Sequence, residues 1–403
     1  MIAIKALKHQ SFVRLWIGQV ISRLGDNVYR IALAWWVLQK TGSAGIMATV
    51  LIFSTVPMLL FLLLGGALVD RLPRVGIMLV CDAGRGIIIT LVALLAFANH
   101  LEVWYLYIAS MLTGIFDAFF QPAYVATVPD VTPKEVLPSA NAITRISKDV
   151  AKVVGPALGA ILVALGSTSM VFLINGLSFF ISAIFLIQIQ KLPEAVQVRS
   201  QQAAPLTEIR AGIAQVMKSA WLWISIAIAA LSNVTVFSPF FVAMPFLVKD
   251  SLHADVDKLG LVYSMFAIGS VAGGIIISQA HILHRRGVIA YSIWCVSGLM
   301  TFAFGLSISV VFVSVASLIA GASIAAFDLI WTHTLQTLVP RNMLGRVSSI
   351  DALGSLVLLP IGYSIVGWIT DQIGASLVFI MGGAITTGLI VLGLSIPAIR
   401  HLD

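Results

Sequence analysis

Twelve runs of apolar residues, following one another along almost the whole chain, decide what this sequence can become. They fall at about 12–38, 45–69, 75–98, 103–127, 139–166, 168–190, 219–248, 259–280, 287–306, 310–336, 348–370 and 375–397. A helix needs roughly 20 apolar residues to cross a hydrocarbon layer about 30 Å thick, and each run is long enough. Of the 403 residues, 59% are hydrophobic and only 10% charged, too few to clothe a water-facing surface of that size. The predicted fold class is therefore an all-α membrane protein with twelve transmembrane helices. The runs leave no room for a soluble catalytic domain, so an enzyme is not expected. The basic opening is followed by a run that carries Arg23, Asp26 and Arg30, which reads as the first span and not as a cleaved leader.

The longest polar stretch, Lys191 to Lys218, separates the sixth run from the seventh. It predicts two six-helix bundles, 1–190 and 219–403, joined by a cytoplasmic linker over 191–218 with a short surface helix near 206–217. Basic residues set the orientation. With the N-terminus inside, the inner loops hold Lys5, Lys8, Arg71, Arg74, Lys134, Lys191, Arg199, Arg210, Lys218, Arg285, Arg286, Arg341, Arg346 and Arg400, and the outer loops only Lys40, Lys249 and Lys258. That bias predicts a multi-pass protein of the cell inner (plasma) membrane with both termini cytoplasmic. It also accounts for the net charge of +7 without any nucleic-acid partner.

The two halves echo each other. A shift of 211 residues lays Phe116-Asp117 on Phe327-Asp328, Val128-Pro129 on Val339-Pro340, and Arg74 and Gly76 on Arg285 and Gly287. Agreement at a single offset, with the linker between, predicts a duplication into two pseudo-symmetric halves.

Charges inside an apolar span cost at least ~2.5 kcal/mol on insertion scales, so each one needs an explanation. Arg23, Asp26 and Arg30 stand three and four residues apart on one helical face. They form either a self-neutralising ion pair or a polar face on an aqueous pathway in which Asp26 exchanges a proton. Thr113, Asp117, Gln121 and Tyr124 make a polar stripe on the fourth span. Asp117 has no basic residue within a turn, and a desolvated, unpaired carboxylate suits a proton carrier. Asp328 is its counterpart in the tenth span, next to Trp331 and Thr332. Arg145, Lys148, Asp149 and Lys152 share one face of the fifth span. They read as a snorkelling helix end or as a basic wall in an inner vestibule, the latter suited to anionic head groups. Beyond them, Gly155, Pro156 and Gly159 permit close helix approach. Phe237, Phe240 and Phe241 with Pro239 and Pro245 predict a kinked, aromatic seventh span. No phosphate-binding loop or metal-ligand spacing occurs, so the sequence requires no cofactor.

The loop between the second and third runs reads Gly65-Gly66-Ala67-Leu68-Val69-Asp70-Arg71-Leu72-Pro73-Arg74. It resembles the signature loop of the major facilitator superfamily. The resemblance implies that Gly66 allows tight packing and that Asp70, Arg71 and Arg74 form a charge relay, with Asp130 as a partner. Val154 to Ala160 is similar to the fifth-helix motif of the superfamily's antiporters. Together with Arg14 to Gln19, Gly25-Asp26-Asn27 and Pro129 to Asn141, these motifs resemble the drug:proton antiporter branch that contains macrolide efflux proteins. The implied protein is a monomeric major facilitator fold that exports amphipathic or hydrophobic compounds by proton antiport through alternating access, powered by the proton gradient alone. Its partners would be the amphipathic small molecule, protons and membrane lipids. Asp26, Asp117 and Asp328 would couple protons, and Asn27, Arg30, Gln121, Asn233 and Trp331 would contact substrate. Gly25-Asp26-Asn27 also resembles the lysophospholipid transporter branch, which keeps open an anionic amphiphile, such as a lysophospholipid or a siderophore, as cargo. A membrane sensor or scaffold that moves nothing is the alternative from another class.

Overall fold

In the computed structural model, residues 2–69, 71–190, 205–279, 285–340 and 343–402 are described. Asp70 of the signature loop and residues 191–204 of the linker lie outside them. The spans of the first half are α1 (Gln10–Thr41), α2 (Ala44–Val69), α3 (Arg74–Phe97), α4 (Val103–Asp130), α5 (Leu137–Ala164) and α6 (Thr168–Gln190). The short α7 (Pro205–Lys218) occupies the place expected for a surface helix. Then come α8 (Ala220–Val242), α9 (Val256–Ser278), α10 (Arg286–Leu306), α11 (Val310–Leu338), α12 (Leu344–Ile373) and α13 (Ala375–Ser395).

Among the described residues, ten helices are long and apolar enough to cross a membrane. The other two long helices are α1 and α5, of 32 and 28 residues, whose charges dilute their hydropathy. At about 1.5 Å per residue both exceed the thickness of the hydrocarbon layer, and the spans number twelve. The surface carries many exposed apolar side chains, and the largely apolar interior also holds charged and polar groups. Leu60, Val125, Val311 and Leu392 are each more than 60% exposed, whereas Gln19, Asp82, Arg85, Asn175 and Ser178 are buried. That inversion suits a chain whose solvent is acyl chains.

The chain divides into two compact units. One comprises Met1–Gln197 with Asp255–Ser264, and the other Val198–Ala254 with Met265–Asp403. In the first, α1 packs on α5 and α6, α3 on α4 and α6, and α2 on α4. In the second, α8 packs on α12 and α13, and α10 on α11 and α13. The α9–α11 contact completes the same pattern. A Cβ on Gly273 would strike the backbone of Ala322, and one on Gly321 the backbone of Phe266. In the first unit a Cβ on Gly65 would strike the Ala118 carbonyl, and one on Gly114 the Ser54 carbonyl. Each unit therefore brings its second and fourth spans together at glycines, the small-residue packing that lipid-embedded helices favour.

Two irregularities shape the second unit. The helical bonding of α8 widens at Asn233–Phe237, just ahead of Pro239. Helix α12 breaks at 357–358 before Pro360, and the Ser355 carbonyl on its N-terminal side accepts a hydrogen bond from Asn233 Nδ2 at 2.7 Å. The kink expected of the seventh span is thus real, and it is matched by one in the eleventh.

Candidate functional site

In the first unit the site is built on α3, a helix whose charges the sequence reading passed over. Asp82 and Arg85 stand three residues apart and face inward, 0% and 4% exposed. Arg85 donates from Nη2 to Asp82 Oδ1 within its own helix, and from Nη1 to Asp117 Oδ1 on α4 at 2.7 Å. The guanidinium also lies over two aromatic faces, 4.3 Å from the centroid of Phe120 and 4.6 Å from that of Phe179. A delocalised, weakly hydrated cation tolerates this setting, which offers π density above it and carboxylates at its edge.

Asp117 is therefore paired, contrary to the sequence reading. That reading considered only the residues along α4, and the partner arrives from α3. The pair is asymmetric, because the Asp117 side chain is 37% exposed while those of Arg85 and Asp82 are 5% and 0% exposed. Asp117 is the accessible end of a chain Asp82–Arg85–Asp117.

The triad on α1 is also arranged differently from the expectation. Among the described residues Arg23 makes no ion pair with Asp26. It sits instead 4.9 Å over the ring of Tyr124 on α4. Arg85, Asp117, Arg30 and Asp82 all act on Asp26. Spacings of three and four put side chains on one helical face, but for Arg23 the contact that forms is with an aromatic ring on a neighbouring helix. Asn27 bonds back to the Arg23 carbonyl at 2.7 Å, and its Cβ occupies the space that a side chain on Gly155 would need. Gly159 meets the Val28 backbone, so Gly155 and Gly159 seat α5 against α1, with Pro156 buried between them. Asn27 is thus part of a helix contact. Arg30 and Gln121 are exposed on α1 and α4.

Arg145, Lys148 and Lys152 lie exposed along α5. Arg23 from α1 and Asp149 from α5 itself both act on Lys148, the first adding to the basic face and the second offsetting it. At the loop after α2, Arg74 Nη1 pairs with Asp130 Oδ2 at 2.7 Å and also donates to the Ala126 carbonyl at 3.2 Å. Arg71 is exposed. The packing role expected of Gly66 falls to its neighbour, because a Cβ on Gly66 would meet open space whereas Gly65 touches Ala118. In a helix, adjacent residues point about 100° apart, and only one of the pair can face α4.

The second unit has a different centre. A cavity of about 250 Å³ opens among α8, α10, α11 and α12, and Asn233, Asp328 and Trp331 all line it. The sequence reading assigns Asp328 to proton coupling and Asn233 and Trp331 to substrate contact, and it passes over a fourth residue of this wall, Asp351 on α12, whose Oδ2 accepts the Trp331 indole N–H at 3.1 Å. Asp82, Arg85 and Asp351 were all detectable by one signal, a charge inside an apolar run. Of the matched carboxylates, Asp117 is held by the Arg85 guanidinium, and Asp328 lines a cavity whose wall also holds Trp294 and Trp331.

Comparison with known proteins agrees with this architecture. The sequence model of the transmembrane secretion effector family matches residues 2–403. Macrolide efflux protein A of Streptococcus pyogenes is 26% identical over 399 residues, covering 97% of each chain. Multidrug efflux pump Tap of Mycolicibacterium fortuitum is 25% identical over 398 residues and covers 94% of each. Among solved structures, a bacterial homologue of the iron transporter ferroportin in an inward-facing state superposes with a TM-score of 0.73 at 16% identity, over 96% of this chain and 99% of that one. The nucleoside transporter NupG gives 0.72 at 13% identity, over 96% and 98%. At such identities the structural matches speak for the fold alone, whereas the family match spans the chain. The protein belongs to the transmembrane secretion effector family of the major facilitator superfamily, and it is a multi-pass membrane transporter and not an enzyme.

Proposed function

We propose that this transporter exports amphipathic, largely apolar small molecules, macrolide-like in size and character, in exchange for protons, by alternating access. The observation that carries the reading is the Asp82–Arg85–Asp117 chain, with Asp26 in its field, inside a span region. Two guanidiniums, Arg85 and Arg30, stand against the three carboxylates Asp26, Asp82 and Asp117, so the cluster keeps one negative charge in a low-dielectric interior, and a proton is the smallest cation that can balance it. Asp117, the accessible member, takes and releases that proton, with Arg85 setting its affinity and Asp82 holding Arg85 in place. Asp26 shares the same charge, and Asp328 plays the second unit's part. End-to-end similarity to macrolide and multidrug efflux proteins supports the choice of cargo. The protein acts as a monomer in the cell inner membrane with both termini cytoplasmic, as the distribution of lysine and arginine favours, and it draws on the proton gradient with no bound cofactor.

The test is reconstitution. Vesicles with an acidic interior should accumulate erythromycin beyond the level in protein-free vesicles, and collapsing the pH gradient should remove the excess. Asp117→Asn should abolish the gradient-driven part while binding persists. Excess uptake indifferent to the gradient would overturn proton antiport.

A second reading has one observation in its favour. Arg145, Lys148 and Lys152, reinforced by Arg23, would suit the phosphate of an anionic amphiphile such as a lysophospholipid, or a siderophore.

A further inference from the structure

The cavity of the second unit has a chemical character of its own. Trp294 and Phe327 stack at 4.3 Å, Phe327 and Trp331 lie nearly parallel at 6.2 Å, and Trp221 meets Trp331 edge-on at 5.6 Å. Trp294, Phe327 and Trp331 line the cavity together with the carboxylate residues Asp328 and Asp351. No lysine or arginine is among the described residues of its wall. Ser232 also lines it, 2% exposed, and its hydroxyl has no hydrogen-bond partner among the described residues. A buried hydroxyl left unsatisfied is destabilising, and a polar ligand group would recover that loss.

Aromatic faces carry negative quadrupole density and carboxylates carry full negative charge, so a wall made of both favours a cation with an apolar skin. An anion would meet repulsion from Asp328 and Asp351, and a neutral apolar body would gain nothing from them. The duplication sharpens the point. At the shift of 211 residues, Asp82 and Arg85 of the first unit correspond to Ile293 and Val296, so this half carries no built-in guanidinium at that place. The Asp351 carboxylate is aimed by its bond to the Trp331 indole, which places acid and π face side by side.

We infer that the cavity lined by Trp294, Phe327, Trp331, Asp351 and Ser232 is a binding subsite for an organic cation, a protonated or quaternary amine carried on an apolar body. The inference rests on the export reading only in naming this cation as part of the cargo. The ammonium sits over the indole faces within reach of Asp351, and Ser232 accepts from an N–H where the amine has one.

The test is binding with no gradient and no flux. Purified protein in nanodiscs is titrated with benzyltrimethylammonium and, separately, with its uncharged isostere neopentylbenzene, following tryptophan fluorescence. The cation should give a saturable change that the isostere neither produces nor suppresses at equal concentration. Asp351→Asn should weaken cation binding at least tenfold, Trp331→Ala should abolish the fluorescence change, and Asp351→Glu, which keeps the charge, should retain binding within a few-fold. Lys40→Gln, at the exposed end of α1, should leave the affinity unchanged. Gel-filtration profiles and far-UV circular dichroism matching wild type qualify each variant. Cation binding within twofold of wild type in both Asp351→Asn and Trp331→Ala, or equal displacement by the isostere, would overturn the subsite. The two readings fail separately. Binding that needs Asp351, in a protein that exports nothing from vesicles, keeps the subsite and sinks the export reading. Export by wild type with Asp351→Asn binding unaltered sinks the subsite alone.

Discussion

The guanidinium of Arg85 on α3 reaches across to Asp117 on α4 and donates to its carboxylate at 2.7 Å, while its other nitrogen holds Asp82 from behind. The bond joins a fully buried acid to a partly exposed one through a single cation.

Removing the middle of that chain should be costly. Arg85→Gln leaves Asp82, 0% exposed, as a buried charge without its counter-ion, and breaking a buried pair in this way costs about 3–5 kcal/mol. Thermal unfolding in detergent should show a large drop for Arg85→Gln. The double variant Asp82→Asn/Arg85→Gln should recover much of it, since no isolated charge remains at that end. Equal losses in the single and double variants would mean that the pair does not hold α3.

The two adjacent glycines near the end of α2 should respond in opposite ways. A Cβ on Gly65 would strike the Ala118 carbonyl, whereas one on Gly66 meets nothing. Gly65→Val should destabilise by about 1–3 kcal/mol as an overpacked contact, and Gly66→Ala should be near neutral. Melting temperatures of the two variants, measured side by side, check this, and a larger loss for Gly66→Ala would contradict it.

Arg74 and Asp130 are 22% and 38% exposed in their side chains, so their pair should add only about 0–1 kcal/mol to stability. Arg74→Asp should therefore melt close to wild type yet impair transport, and the swapped double variant Arg74→Asp/Asp130→Arg should restore flux. No rescue by the swap would remove the pair from the transport cycle.

Neutralising the basic wall separates the two kinds of cargo. With Arg145, Lys148 and Lys152 all changed to Gln, export of a cationic compound should continue at a rate within a few-fold of wild type. Vesicle flux assays read the outcome. Loss of cationic export with retention of a lysophospholipid flux would reverse the assignment.

Much of the architecture was readable in the chain alone. Run lengths near one bilayer thickness gave the spans, and the linker with the 211-residue echo between Asp117 and Asp328 pointed to two six-helix halves. Helical spacing put Asp328 beside Trp331, whereas Asn233 entered only through the resemblance to the superfamily. What spacing cannot supply is the partner from another helix. Asp117 looked unpaired because Arg85 lies 32 residues away in sequence, and Arg23 looked like a partner of Asp26 because it lies three residues away along the chain. Along one helix the sequence tells which side chains share a face. Which of them touch depends on the packing of α1, α3 and α4, and there Arg23 turns to the ring of Tyr124 instead of to Asp26.

The most direct measurement is proton movement driven by cargo. Vesicles containing the protein and an internal pH-sensitive dye, with no preset gradient, are given the transported compound outside. The expected result is a rise in internal pH as protons leave in exchange, beyond that in protein-free vesicles and absent with Asp117→Asn. Identical traces for wild type and Asp117→Asn, both showing cargo entry, would contradict the account.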